Sequence, residues 1–93
     1  MAVVYSKNPD VVFRKIADEF ILIPIRQKIV DLKSVFTMNE TSAFIWEQID
    51  GTQSVAHIKA KVAETFEVEP QQAEVDVSEI VSQLEALSLI QKA

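Results

Sequence analysis

Apolar residues in the first part of the chain come in short runs that favour β-strands. Residues 11–16 and 20–25 are rich in β-branched and aromatic side chains, and the polar segment 17–19 separates them. This pattern predicts two strands joined as a hairpin, and residues 34–38 predict a third strand. Pro24 has no N–H to donate to a neighbouring strand, so we expect it at a sheet edge or a bulge.

The apolar period then changes to that of helices, beginning with a helix over residues 39–51. Asn39 is a suitable N-cap, because its side-chain oxygen can accept from the free N–H groups of the first turn. Glu40 adds negative charge near the positive end of the helix dipole. Gly51 is the only glycine of the chain, and it can adopt the left-handed conformation that ends a helix.

Two further helices follow, each with apolar positions at helical spacing. Ser54 is a suitable N-cap for a helix over residues 54–66. Pro70 suits the first turn of a helix over residues 70–87, where Glu69 is a weaker N-cap than Asp or Ser.

Three strands followed by three helices indicate an α+β domain, with the helices packed on one face of a small antiparallel sheet. We expect residues 1–10 to be a flexible N-terminal arm and residues 11–93 to form a single domain. Residues 89–91 are expected to form a last turn or strand. A chain of 93 residues can hold one hydrophobic core but not two.

The composition argues against several kinds of chemistry. No cysteine is present, which excludes disulfides and thiolate metal sites. His57 is the only histidine, so a zinc site is not expected, and a single glycine cannot build a Gly-rich phosphate loop. We therefore expect no cofactor, no metal and no enzymatic activity of the chain's own.

Signals for a membrane or for export are also missing from the sequence. No apolar run approaches the roughly 20 residues of a membrane span, and polar residues interrupt the N-terminus where a signal peptide would be apolar. We expect a soluble protein of the cytoplasm.

Charge is distributed unevenly along the chain, whose formal net charge is −5. Residues 62–91 contain acidic side chains and no Lys or Arg. Helices after strands resemble a winged helix-turn-helix, but DNA affinity rests mainly on Lys and Arg that neutralise phosphates. A third helix without basic residues would be repelled by DNA, so DNA binding is the weakest alternative.

An exposed sheet edge offers a different kind of binding site. Edge strands carry unpaired backbone groups, and an extended peptide can add a strand there. The strand over residues 34–38 leads into the first helix, so a peptide paired with it could lie near the third helix. That helix has more apolar positions than one narrow stripe needs. Two interpretations stay open: the core buries them all, or some form the wall of a groove.

Three segments carry a family resemblance. The string MNETSAFIWEQIDG at residues 38–51 resembles the LNET-x-x-x-(I/V/L)-W-x-x-(I/L)-D-G segment of the PqqD family, named for a protein of pyrroloquinoline quinone biosynthesis. Residues 68–77 resemble the family's V-(D/E)-P-x-x-A-x-x-D-V. Residues 84–90 resemble L-x-x-x-G-L-(I/L), with Ser88 where glycine is usual. The resemblance covers nearly the whole chain, and the first strands match by pattern alone.

This resemblance implies a fold and a function. Such modules have a winged helix-turn-helix-like fold and bind the leader of a ribosomally synthesised precursor peptide as an added strand. They present it to a modifying enzyme, commonly a radical SAM maturase, which holds the catalytic cofactors. Carried onto this chain, the resemblance implies a peptide groove between the third strand and the third helix, in which Lys33 would meet an acidic leader residue. The implied lining residues are Lys33, Val35, Phe36, Thr37, Val77, Val81, Leu84 and Glu85.

One alternative is an acidic structural or regulatory subunit of a larger complex, without leader binding. The sequence also leaves open a homodimer and the identity of the peptide product, which in this family need not be pyrroloquinoline quinone.

Overall fold

The computed structural model describes residues 3–24 and 36–93. In this part of the chain the elements are β1 (Tyr5–Lys7), β2 (Val11–Ile16), β3 (Glu19–Pro24), β4 (Phe36–Met38), α1 (Glu40–Gln48), α2 (Val55–Thr65), α3 (Pro70–Ala86) and β5 (Ile90–Lys92). A three-stranded antiparallel sheet followed by three helices confirms the predicted α+β fold.

The three-stranded sheet has the strand order β2-β3-β4. β2 and β3 form the predicted hairpin, in a register that places Val11 opposite Pro24. β4 pairs with the other side of β3, where Leu22 lies opposite Phe36. β3 is therefore the central strand, and β2 and β4 are the two edges of the described sheet.

The sequence predicts Pro24 at a sheet edge or a bulge. In the structure, Pro24 lies instead at the end of the central strand. The end of a strand meets the same physical constraint, because the missing N–H falls where the ladder stops. The described part of the predicted third strand is β4, Phe36–Met38. Its first two predicted residues, Ser34 and Val35, lie outside the described residues.

Capping bonds confirm two of the predicted helix starts. The Asn39 side chain accepts from the backbone N–H of Ser42 at 2.9 Å, and the Ser54 hydroxyl accepts from the N–H of His57 at 3.1 Å. Caps of this kind stabilise a helix by about 1 kcal/mol each. Glu69 makes no such bond, so α3 starts on the pre-set backbone of Pro70 alone.

The Asp50-Gly51 pair builds the turn between α1 and α2. α1 ends at Gln48, earlier than the predicted end at Gly51, and Gly51 adopts the left-handed conformation, with φ of +82°, inside the turn. The Asp50 carboxylate accepts from the backbone N–H groups of Thr52 at 2.9 Å and Gln53 at 3.0 Å. These bonds hold the pKa of Asp50 well below its usual range.

The N-terminal segment is not a flexible arm. β1 pairs antiparallel with β5 in a second, two-stranded sheet, and the Tyr5 side chain is only 8% exposed. The N–H of Gly51 donates to the Tyr5 carbonyl at 3.0 Å, and that of Val55 donates to the Val3 carbonyl at 2.8 Å. The prediction of a flexible arm was wrong for the described residues 3–10, because this pairing joins segments far apart in the sequence, which a local pattern cannot reveal. The predicted last strand is confirmed by β5.

One hydrophobic core lies between the sheet and the helices and draws on every helix. Its fully buried large side chains are Leu22, Ile45, Ile49, Ile58, Val62, Val77, Leu84 and Ile90. Burying a side chain of this size stabilises the fold by about 1.5–3 kcal/mol. Because α3 contributes both Val77 and Leu84 to this core, its rotation about its own axis is fixed.

Candidate functional site

β4 is the edge of the sheet that leads into a helix. Among the described residues it pairs with β3 only, so no described strand lies along the other side of its backbone. Met38 is buried and Phe36 packs against the core, whereas Thr37 between them is exposed. This alternation places one face of β4 on the core and the other in solvent.

A depression of about 180 Å³ begins where β4 ends. It lies between the start of α1 and the middle of α3. The residues that line it are Asn39, Thr41, Ser42, Asp76, Glu79 and Ile80. The depression therefore adjoins the end of β4, since Asn39 directly follows the strand.

α3 separates two different surfaces. Ala73, Val77 and Leu84 form its buried stripe. One flank carries residues that follow one another at i+4 and i+3 spacing, namely Asp76, Ile80, Gln83 and Leu87. The opposite flank carries Glu74, Ser78, Val81 and Glu85 at the same spacing. We call the first set the β4-side flank, because Asp76 and Ile80 line the depression at the end of β4.

The opposite flank faces α2 and β1. Val81 lines a second depression, of about 350 Å³, together with Tyr5 and Val55. Burial raises the pKa of the Tyr5 hydroxyl, and the nearby Glu85 carboxylate raises it further by its charge and by accepting a hydrogen bond. Lys59 of α2 and Glu74 of α3 form an ion pair at 3.8 Å. The Lys59 side chain is partly exposed, and the Glu74 side chain is largely exposed.

The structure therefore divides the predicted groove residues into four groups. Phe36 and Thr37 lie on β4 as expected, and Lys33 and Val35 lie outside the described residues. Val77 and Leu84 have no exposed surface, so their prediction as groove residues is corrected: they serve the core. Val81, 7% exposed, and Glu85 lie on the flank that faces away from β4.

The β4-side flank contains the residues that sequence reasoning missed. Ile80 is half-buried and lines the depression, and Leu87 is 56% exposed. Apolar residues surround much of α3 in the sequence, so their spacing permits several rotations. The signal that selects one is tertiary: the complete burial of Val77 and Leu84 turns Ile80 towards α1.

Charge around the depression at the end of β4 is negative. The Asp76 carboxylate accepts from the Gln72 side chain at 2.9 Å, and Glu79 is exposed beside it. Neither carboxylate is paired with a Lys or Arg within residues 3–24 and 36–93. This surface would repel nucleic-acid phosphates, which argues against α3 as a DNA-reading helix.

The described residues show no arrangement that suggests a metal centre or a membrane anchor. No group of three or more His, Asp or Glu side chains in residues 3–24 and 36–93 could hold a metal ion. None of the three described helices combines the length and the apolar character that crossing a membrane requires.

Comparison with protein families supplies the decisive observation. The family model described as coenzyme PQQ synthesis protein D, PqqD, matches residues 26–90. The chain belongs to the PqqD family. All three segments that resemble the family in sequence lie within this match, whereas the β2–β3 hairpin lies before it. The family match is thus shorter than the resemblance over nearly the whole chain that the sequence suggests.

The PqqD-family segment at residues 84–90 contains the C-terminal end of α3. Ser88, which stands where glycine is usual, has φ of +59°, a left-handed conformation that glycine adopts with least strain. The N–H of Leu89 donates to the Leu84 carbonyl at 2.9 Å, which completes the C-terminal turn of α3. The need for a left-handed residue at this position explains why glycine is usual there. Ser88 adopts the same conformation with more backbone strain than glycine would have.

Two solved structures share the fold. TbiB1 in complex with the TbiA(beta) leader peptide is 17% identical, with a TM-score of 0.73 over 92% of this chain and 94% of that chain. A lasso peptide synthetase B1 complexed with the leader peptide is 20% identical, with a TM-score of 0.75 over 94% of this chain and 96% of that chain. At these identities the likeness establishes the fold. No curated protein gave a significant sequence match.

Proposed function

We propose that this protein binds the leader of a ribosomally synthesised precursor peptide as an added strand on β4. The observation that carries the proposal is the open edge of β4 beside the depression that α3 forms with the start of α1. Backbone hydrogen bonds to β4 would supply affinity, and contacts of alternate side chains would supply specificity.

The geometry of β4 assigns the two faces of such a peptide. A strand's side chains alternate between its two faces. Peptide side chains on the same face as Phe36 and Met38 would point towards α3, where Ile80 and Leu87 offer apolar surface. Those on the face of Thr37 would point into solvent. The proposed site therefore keeps Phe36 and Thr37 and replaces Val77, Val81, Leu84 and Glu85 with the β4-side flank.

The two solved structures that share this fold support the proposal. TbiB1 and the lasso peptide synthetase B1 both hold a leader peptide. The similarity covers nearly all of each chain, so the elements that form the edge and α3 have counterparts in both. Membership in a family described for coenzyme PQQ synthesis agrees with a role in the maturation of a peptide.

In this role the protein presents the precursor and performs no chemistry on it. A modifying enzyme acts on the bound peptide, and a radical SAM maturase is the partner class that we favour. The complex would assemble in the cytoplasm, where the ribosome releases the precursor. The alternative role as an acidic subunit without leader binding lacks a specific structural feature in its favour.

Backbone methylation of the peptide tests strand addition directly. The probe is the synthetic leader of a short precursor encoded beside this gene. In an added strand, every second N–H points at β4 and the others point away. We therefore prepare two versions of the leader, each N-methylated at alternate residues, one in each phase. Binding is measured by fluorescence anisotropy.

The expected result is asymmetric: one phase abolishes binding and the other retains most of it. A leader with scrambled sequence is the control for nonspecific association. Equal affinity of both methylated versions and the unmodified leader would show that no strand is added. Absence of binding by every leader encoded near the gene would reject leader recognition itself.

A further inference from the structure

A groove runs between α2 and α3 on the flank of α3 that faces away from β4. One part of it is the depression of about 350 Å³ lined by Tyr5 and Val81. The other part is a depression of about 620 Å³ near the start of α3, lined by Ala63 and Val68 among others. Lys59 lines both, so the two parts adjoin. We call this surface the α2–α3 groove, and a leader peptide on β4 would leave it free.

The walls of the α2–α3 groove are low and largely apolar. Short, exposed side chains occupy both walls, namely Ala56 and Ala60 on α2 and Ser78 and Ser82 on α3. Val3, an exposed large apolar residue, also lines the groove. Short side chains permit close packing of another helix, because the distance between packed helices depends on the side chains at their contact.

The α2–α3 groove offers side chains and no strand edge. Backbone groups in the middle of α2 and α3 bond within their own helices. β1 is occupied on both sides, because it pairs with β5 and its flanking carbonyls of Val3 and Tyr5 accept from the N–H groups of Val55 and Gly51. An occupant must therefore satisfy its own backbone, as a helix does. Residues 55–64 of α2 span about 14 Å, which suits a helix of about three turns.

Charge at the rim indicates the sign of the occupant. Glu64 and Glu74 line the groove, and Lys59 is the only cation among its lining residues. Lys59 already pairs with Glu74, whereas Glu64 has no ion-pair partner within residues 3–24 and 36–93. Glu67 and Glu69 are exposed in the connection between the two helices and add negative charge at the same end. The rim is thus complementary to a cationic partner.

The helix dipoles do not change this sign. α2 ends and α3 begins at the same end of the groove, and the two termini carry about half a charge each, of opposite sign. Their effects largely cancel, so the carboxylates set the local potential. The same charge argues against a second copy of this chain as the occupant, because a symmetric dimer would place the two acidic rims against each other.

We infer that the α2–α3 groove docks a basic amphipathic helix of the modifying enzyme, an inference that rests on the proposed function. The apolar side of that helix would cover Ala60 and Val68, and its Lys or Arg side chains would pair with Glu64 and Glu74. The leader on β4 and the enzyme in the groove would occupy opposite flanks of α3. Both could then bind at once, which holds the peptide beside the enzyme without competition.

A binding experiment with filled and control variants tests this inference. Each radical SAM enzyme encoded near this gene is immobilised, and binding of the full chain is measured by biolayer interferometry. Ala60→Arg/Ser82→Arg fills both parts of the groove from exposed positions. Glu47→Arg, at an exposed residue of α1, changes the net charge by the same amount and is the control. Leader affinity is measured in parallel by anisotropy, and thermal unfolding verifies that every variant is folded.

The filled variant should bind the enzyme at least about a hundredfold more weakly, whereas the control should bind as the wild type does. Both should bind the leader with unchanged affinity. Glu64→Gln/Glu74→Gln should weaken enzyme binding about tenfold at low salt. Its enzyme affinity should also vary less with salt concentration than that of the wild type, because salt screens exposed charges.

Cross-linking identifies the chemistry of the occupant. The chain has no cysteine, so Ser82→Cys can carry a single benzophenone label in the groove, and Glu47→Cys carries the same label as a control. Mass spectrometry of the product formed from residue 82 should identify one enzyme segment with apolar residues at helical spacing and Lys or Arg beside them. A segment without basic residues, or the same product from residue 47, would overturn the inference.

The remaining outcomes separate this inference from the proposed function. Enzyme binding that the filled variant retains, or no binding by any of the enzymes, overturns docking in the groove, while the leader titration judges peptide binding on its own. Self-association of the wild type that the filled variant loses would assign the groove to a second copy and also overturn the inference. Loss of leader binding in the folded variant would show that the two surfaces are not separate.

Discussion

Ile80 and Val81 are neighbours in the sequence of α3 but lie on opposite sides of its buried stripe. Ile80 lines the depression at the end of β4, and Val81 lines the depression that faces α2 and Tyr5. Consecutive helical residues differ by about 100° of rotation, and the burial of Val77 and Leu84 between these flanks decides which one meets β4.

Substitutions at these two positions should therefore have different effects. Ile80→Ala should weaken leader binding about tenfold, close to 1.4 kcal/mol, and lower stability only slightly because the side chain is half-buried. Val81→Ala should leave affinity unchanged and lower the free energy of unfolding by about 2 kcal/mol, since it removes buried methyl groups. Anisotropy titrations and urea denaturation measure the two effects. Equal loss of affinity in both variants would contradict the assignment of the flanks.

The two ends of the chain should stabilise each other through β1 and β5. Removal of residues 1–7 deletes the buried Tyr5 and the acceptors of the Gly51 and Val55 N–H groups. We expect the free energy of unfolding to fall by at least about 3 kcal/mol, from lost burial and lost hydrogen bonds. Ile16→Ser, at a residue that is 60% exposed, is a control that should change stability by about 0.5 kcal/mol or less. Undiminished stability of the truncated chain would show that the segment is an arm after all.

Replacement of Ser88 by glycine should stabilise the protein. A non-glycine residue in the left-handed conformation costs about 1 kcal/mol, and Ser88 has φ of +59°. Ser88→Gly should therefore raise the free energy of unfolding by about 0.5–1 kcal/mol in urea denaturation. Ser82→Gly, within α3, is the matched control and should lower it by a similar amount. A decrease in both variants would mean that the strain at residue 88 is negligible.

Tyr5 should make the fold sensitive to high pH. Its pKa in the folded protein is raised above 10.0 by burial and by Glu85. The stabilisation linked to the neutral hydroxyl is complete below the unfolded pKa of about 10. It is lost as pH rises through the folded pKa, because the unfolded chain then releases the proton first.

Tyr5 is the only tyrosine of the chain, so tyrosinate absorbance reports it alone. The titration midpoint of the native protein should lie above that of the urea-unfolded protein. Glu85→Gln should move the native midpoint downwards. In Tyr5→Phe, stability should decline less steeply above about pH 10 than in the wild type. A native midpoint equal to the unfolded one would rule out the interaction with Glu85.

Local pattern determines some of these features and tertiary packing determines others. The capping residues Asn39 and Ser54 locate their helix starts because the capping bond involves residues within one turn. The pairing of β1 with β5 and the rotation of α3 depend on contacts between distant segments. The sequence therefore predicted the sheet, the helices and the edge that β4 offers, whereas Val77 and Leu84 were placed on the wrong surface of α3.

The central claim is that a peptide adds to β4 on the Ile80 side of α3, and amide hydrogen exchange measured by NMR tests it most directly. With the leader bound, exchange should slow at the amides of Phe36–Met38 that point away from β3. Chemical shifts should change at Asp76, Ile80 and Gln83 and stay constant at Ser78 and Val81. Protection at Val11–Ile16 instead, or shift changes confined to the Val81 flank, would contradict the account.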